Sequence, residues 1–113
     1  MLTLALAIAL CPAPPATRHT CVHDGDTIWI EGEKLRLQTI DTPELNGRCA
    51  AERALARRAR DRLVELLNAK PPRIIDSGKR DRYRRKLVTI PGVSDQLVRE
   101  GLGRRWGDRR GWC

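Results

Sequence analysis

Phenylalanine is absent from these 113 residues, and the aromatic complement is one tyrosine and three tryptophans. Leu, Ile, Val and Ala must therefore carry most of the packing, in one small domain with a modest core. No Cys-x-x-Cys pair occurs among Cys11, Cys21, Cys49 and Cys113, which argues against structural zinc. The apolar run Met1 to Leu10 falls short of the ~20 residues that span a bilayer as a helix. No Lys or Arg precedes that run, and no clean Ala-x-Ala site follows it. Internal repeats and low-complexity segments are missing too. What is abundant is positive charge: a formal net charge of +8 and a pI near 10.2. A basic surface favours polyanions, nucleic acid first and anionic membrane second.

The apolar start suits the hydrophobic region of a secretory signal, broken by Pro12, Pro14 and Pro15. Residues 1–16 are read as a signal peptide or apolar N-terminal segment, and residues 17–113 as the functional domain. The expected location is secreted or periplasmic. There a disulfide stabilises a small domain by about 2–4 kcal/mol. Four cysteines allow three full pairings, of which Cys49 with Cys113 is preferred, tying the last residue to the start of a helix.

Thr27 to Ile30 is β-branched and aromatic, so it reads as strand. Glu31-Gly32-Glu33 turns the chain, and Lys34 to Ile40 returns. Leu35 and Leu37 share one face of that strand, so Arg36 points from the opposite one, toward a cleft. Ala50 to Asn68 is an amphipathic helix, with Leu55, Ala59, Leu63, Leu66 and Leu67 at helical spacing and Pro71-Pro72 enforcing its end. Arg57 and Asp61 are spaced for an i,i+4 pair on its solvated face. Arg73 to Asp76 is read as a short strand, 76–81 as a polar loop, and Lys86 to Ile90 as a strand ended by Pro91-Gly92. Ser94 is the expected N-cap of a short helix stopping at Gly101. The composition is mainly β with helices (α+β).

The charged residues fall into three groups. Asp24-Gly25-Asp26-Thr27 comes first. Arg36 follows, and five residues later Asp41-Thr42-Pro43-Glu44. The third is Asp81-Arg82-Tyr83-Arg84-Arg85. Carboxylates hold a hard cation through oxygen, arginines and the cation neutralise charge at a pentacoordinate phosphorus, and a spare carboxylate orients or deprotonates water. These motifs, with Leu97-Val98-Arg99-Glu100-Gly101-Leu102, resemble the staphylococcal-nuclease-like (thermonuclease) family from Val22 to Leu102.

The resemblance implies an OB-fold five-stranded barrel with one long and one short helix. It implies a calcium-dependent, sugar-nonspecific endonuclease that hydrolyses DNA and RNA to 3′-phosphate products. Ca2+ is the implied cofactor, with another hard divalent ion as the alternative. Asp26, Asp41 and Thr42 match the metal-binding positions, Thr42 through its main-chain carbonyl, and Asp24 matches a supporting carboxylate. Glu44 matches the candidate general base. Arg36 and Arg85 match the arginines that grip phosphate, and Tyr83 and Arg82 match neighbouring substrate contacts. Arg84 departs from the family, which usually carries glycine there. The tyrosines that line the family's base pocket have no evident match, and Trp106 is the substitute considered. DNA and RNA substrates are the expected partners of a monomer without a stable protein partner. Membrane contact is expected only through an uncleaved N-terminal segment. The alternative is a non-catalytic basic OB-fold module that binds nucleic acid.

Overall fold

A computed structural model describes residues 7–113. The first six residues of the apolar segment read as a leader lie outside the described residues. Ala9–Leu10 (β1) runs parallel to Cys21–Asp24 (β2), and a Cys11–Cys21 disulfide joins the two. β2 then pairs antiparallel with Thr27–Ile30 (β3). Glu31 and Gly32 both take positive φ, 50° and 80°, which suits the twist of a two-residue hairpin loop. That turn sets Glu33–Leu37 (β4) antiparallel to β3, with Ile28 opposite Leu35.

The strand expected to run unbroken to Ile40 stops at Leu37, and the chain resumes as Ile40–Asp41 (β5). A 20-residue helix, Ala50–Ala69 (α1), follows. Ile75–Arg80 (β6) and Lys86–Thr89 (β7) come next, then Val93–Arg99 (α2) and Arg104–Arg105 (β8). The six-stranded sheet has the order β1-β2-β3-β4-β7-β6, with β4 and β7 parallel. β5 and β8 form a separate two-stranded ribbon. The fold is thus mixed α+β, with two helices as expected. The five-stranded barrel gives way to a sheet that shows no closing ladder among the described residues. β1 takes the side of β2 away from β3, and the two residues of β5 commit their ladder to β8.

The core lies between the sheet and α1. Val22, Ile28, Leu35, Leu37, Ile40 and Val88 meet Ala59, Leu63 and Leu67 of α1, with Ile90, Leu97 and Leu102 completing the cluster. Alanines at 56 and 59, both fully buried, present no bulk beyond Cβ on the buried face of the helix. α2 is fastened to α1 from outside, where Arg62 Nε and Nη2 donate to the two Glu100 oxygens at 2.8 and 2.9 Å.

Three local expectations are corrected. Asp61 pairs with Arg60 at 2.9 Å rather than with Arg57. α2 begins at Val93, so Gly92, at φ 83°, occupies the N-cap and Ser94 is buried inside the first turn. The polar stretch 76–81 is largely the exposed edge strand β6, because an edge needs no apolar face and Gly78, at φ 80°, absorbs its irregularity.

The Cys49–Cys113 pairing is present and closes a sequence separation of 64 residues. Replacing both cysteines by serine should lower unfolding free energy by about 2–5 kcal/mol, read as a shift in the urea midpoint. An unchanged midpoint would show that the staple adds nothing to this fold.

Candidate active site

The site forms where β4 ends. Arg36 is 9% exposed, and its guanidinium bridges the break between β4 and β5. Nη1 donates to the carbonyls of Leu37 and Ile40, the latter at 2.9 Å. Nη2 donates to Asp41 Oδ1 at 2.6 Å and stands 3.5 Å from Asp26 Oδ2. Asp26 is aimed by its surroundings: Oδ1 accepts from the Thr27 hydroxyl at 3.0 Å, and Oδ2 accepts from the Thr42 backbone N–H at 3.3 Å. Asp24 Oδ1 in turn accepts from the Asp26 backbone N–H at 3.2 Å. Gly25 permits this approach, since a Cβ there would sit 2.8 Å from Thr42 Cβ and Oγ1.

Acid outweighs base around Arg36. Burial, and then the neighbouring Asp26 carboxylate, push the Asp24 carboxyl up to about 7. Desolvation with help from Asp26 also raises Asp41, although Arg36 opposes it. Glu44 is raised by desolvation first, then by Asp26 and Glu52, with Arg36 and Arg85 pulling the other way. A carboxylate lifted toward neutrality is a better proton acceptor than an ordinary surface glutamate.

The second half comes from the 81–85 turn. Asp81 Oδ1 accepts the backbone N–H groups of Tyr83 and Arg85, each at 2.9 Å, while Oδ2 holds Arg85 Nε at 2.6 Å. Burial works to raise Asp81, but these hydrogen bonds outweigh it and leave the carboxyl below its ordinary range. Arg85 Nη1 reaches back to Thr27 Oγ1 at 3.4 Å, so one threonine hydroxyl touches both halves. Tyr83 is 64% exposed, with Arg82 and Arg85 against its ring at 4.9 and 5.5 Å. Arg82 Nη2 donates to the tyrosine oxygen at 2.7 Å. Trp106, 68% exposed, lies 5.5 Å from the Arg36 guanidinium. Arg36, Arg82, Tyr83, Arg85, Leu87 and Trp106 line a groove of about 580 Å³. Asp26, Asp41 and Glu44 are not on its lining, and Arg36 connects Asp26 and Asp41 to it.

Among the described residues no three His, Cys, Asp or Glu side chains converge as a metal cluster. The donor set nonetheless fits a hard cation. Asp26 and Asp41 already share one cationic nitrogen, burial and the Asp26 charge raise Asp24 beside them, and the buried Thr42 hydroxyl has no partner among the described residues. Two carboxylates leave the remaining ligands to carbonyl and water oxygen, which calcium accepts.

Sequence reasoning singled out the residues on both sides of Arg36 and of Tyr83, but assigned no role to Asp81, Thr27 or Glu52. Asp81 was detectable as an Asx residue opening the turn that carries Arg85. Glu52 was detectable as the glutamate three residues after the N-cap Cys49. Its buried carboxylate accepts from the Glu44 and Arg48 backbone N–H groups.

A domain of this architecture and charge is matched by the family model for staphylococcal nuclease homologues over residues 34–110, and the chain belongs to that family. Among curated proteins, the succinoglycan biosynthesis protein ExoI of Rhizobium meliloti (strain 1021) is 35% identical over 81 residues. The match takes in 68% of this chain and 42% of that relative, so the chain spans less than half of the relative's length.

Arg84, where the resemblance leads to the expectation of glycine, adopts φ 67°. A side chain in the left-handed region costs about 1–2 kcal/mol. Arg84→Gly should therefore raise stability by about 1 kcal/mol, measured by urea unfolding. A loss of stability would show that Arg84 makes compensating contacts.

Proposed function

We propose that this protein is an exported, calcium-dependent endonuclease that hydrolyses DNA and RNA phosphodiesters and leaves 3′-phosphate ends. The observation that carries the reading is Arg36 held between Asp26 and Asp41 at the edge of a basic, aromatic groove. Family membership and the basic surface support it. The relative's name assigns a role in succinoglycan biosynthesis to that protein; the groove's arginines and exposed rings suit a polyanion with stacking bases. Two disulfides suit an oxidising compartment outside the cytoplasm. No described helix is long and apolar enough to cross a membrane.

Arg85 and Arg36 grip the scissile phosphate. Asp81 fixes the Arg85 side chain at Nε, which leaves Nη2, and Nη1 beyond its long 3.4 Å bond to Thr27, to donate to phosphate. Release of Arg36 Nη2 from Asp41 frees that nitrogen for a phosphate oxygen, while Nη1 stays on the Leu37 and Ile40 carbonyls. Tyr83 and Arg82 hold the phosphate or base beyond, and Trp106 offers a stacking face on the same groove. Glu44 orients the attacking water or takes its proton as the water oxygen bonds to phosphorus; the P–O5′ bond breaks, and the departing 5′ oxygen takes a proton from solvent. Asp26, Asp41 and Thr42 are the residues that would hold calcium, with Asp24 supporting Asp26; the ion supplies charge neutralisation at the phosphoryl oxygens. Residues 17–113 constitute the working domain in this reading.

The rival reading, a nucleic-acid-binding module without catalysis, draws on one observation: both Arg36 Nη nitrogens are already engaged with protein oxygens. A cleavage assay separates the two. Single-stranded DNA, duplex DNA and RNA should be cut with calcium and spared with chelator. Glu44→Gln should lower the rate about 10²–10⁴-fold, and Arg85→Ala about 10²–10³-fold. Salt-sensitive binding by folded protein, with no cleavage under any divalent ion, would establish the binding module instead.

Calcium at about 100 times its dissociation constant should raise unfolding free energy by about 2.7 kcal/mol. That gain should vanish in Asp26→Asn. A calcium-independent Tm would remove Asp26 and Asp41 from the role of ligands.

A further inference from the structure

We propose that Glu52 is a positioning residue for hydrolysis, holding the backbone of Glu44 in place from the first turn of α1. The proposal rests on the nuclease reading above. Glu52 is 6% exposed and forms no ion pair among the described residues. Burying a carboxylate without a cation is costly unless hydrogen bonds replace its water. Two backbone donors do so. Glu52 Oε2 accepts the Glu44 N–H at 3.2 Å, and Oε1 accepts the Arg48 N–H at 3.0 Å. The positive end of α1 adds to this.

An ordinary capping glutamate needs only the N–H groups at the helix start. The bond to Glu44 reaches beyond that, across the whole 44–48 loop. It lands on the backbone of the residue whose carboxylate lies within electrostatic reach of Asp26, Arg36 and Arg85. Pro43, fully buried, fixes the chain on the other side of Glu44. The loop itself is tightened by the Gly47 N–H on the Glu44 carbonyl at 3.0 Å. Gly47 is required by the same seat: a Cβ there would lie 2.5 Å from Glu52 Cγ and Cδ and 2.9 Å from the Glu44 oxygen. Glu52 is anchored in turn, its N–H donating to Cys49 Sγ at 3.3 Å, with Cys113 Sγ 3.8 Å from Oε1. A rigid helix, a disulfide and a buried carboxylate thus define where the Glu44 side chain starts.

The test is Glu52→Gln, which keeps the shape but leaves one oxygen acceptor for two donors. Glu65→Gln, at an exposed position of the same helix, controls for net charge, and the pH–rate profile of Glu52→Gln separates the loss of its field on Glu44 from the loss of position. Amide exchange of Glu44 and Arg48 and calcium-dependent cleavage are measured together, well below Tm. The expected result is faster exchange at one or both amides, a kcat reduced about 10–100-fold and a KM within about threefold. Gly47→Ala should reproduce that pattern from the opposite side, and Glu65→Gln should match the parent. An unchanged kcat in Glu52→Gln, or a loss confined to KM, overturns the positioning role. Parent protein that binds but never cleaves overturns the nuclease reading and the positioning role with it; the exchange rates then still show whether Glu52 holds the loop.

Discussion

The Arg36 guanidinium is the tie on which the site and part of the fold depend. It spans the gap left when β4 stops at Leu37, donating to the carbonyls of Leu37 and Ile40 on either side of the break. From the same carbon it neutralises Asp41 and faces Asp26. Removing one partner of such a set leaves buried charge uncompensated, a loss of about 3–5 kcal/mol. Arg36 is therefore a poor probe of chemistry alone, because its loss also strips the β4–β5 break of its donors. Arg85, held by Asp81 on a separate turn, reports on phosphate contact with less effect on the core.

Around that tie the molecule separates two electrostatic jobs. Asp24, Asp26, Asp41 and Glu44 gather around one arginine, and burial first, with repulsion from Asp26 second, holds Asp24, Asp41 and Glu44 above their ordinary pKa. The adjoining groove carries the opposite sign and two exposed rings. A polyanion is attracted to the second region, whereas a hard cation is attracted to the first. Thr27, on the rigid β3 strand, touches Asp26 and Arg85 and keeps the two regions in register.

Sequence periodicity was enough to locate the elements with an apolar signature. Thr27–Ile30 was legible from its β-branched residues, and α1 from Ala59, Leu63 and Leu67, ending one residue from its expected limit. β6 was legible only at its start, where the strand expected at 73–76 overlaps Ile75 and Asp76, because its six residues are all exposed and its ladder bonds to β7 leave no apolar signature. The α2 start moved because Gly92 could adopt the left-handed conformation that frees Val93 to begin the helix. The residues gathered about Arg36 and Tyr83 were legible as motifs, and the structure brings Arg36, Asp26 and Asp41 within ion-pair distance. Their supports were less visible. Glu52 sits in an arginine-rich helix and reads as one more solvated charge, until its burial and its two backbone donors are seen.

The parallel pairing of β1 with β2 has a consequence for how this chain behaves when cut. Cys11 and Cys21 are joined, and the turn-rich segment between them, 12–20, is almost wholly exposed. A protease that opens any peptide bond there produces two polypeptides that remain one molecule. The shorter piece stays docked beside β2, with Ile8 still bonded to Asn68 of α1 through N–H and carbonyl. Cleavage near Ala13 or Ala16 would thus leave an electrophoretic band of unchanged mass until thiol is added.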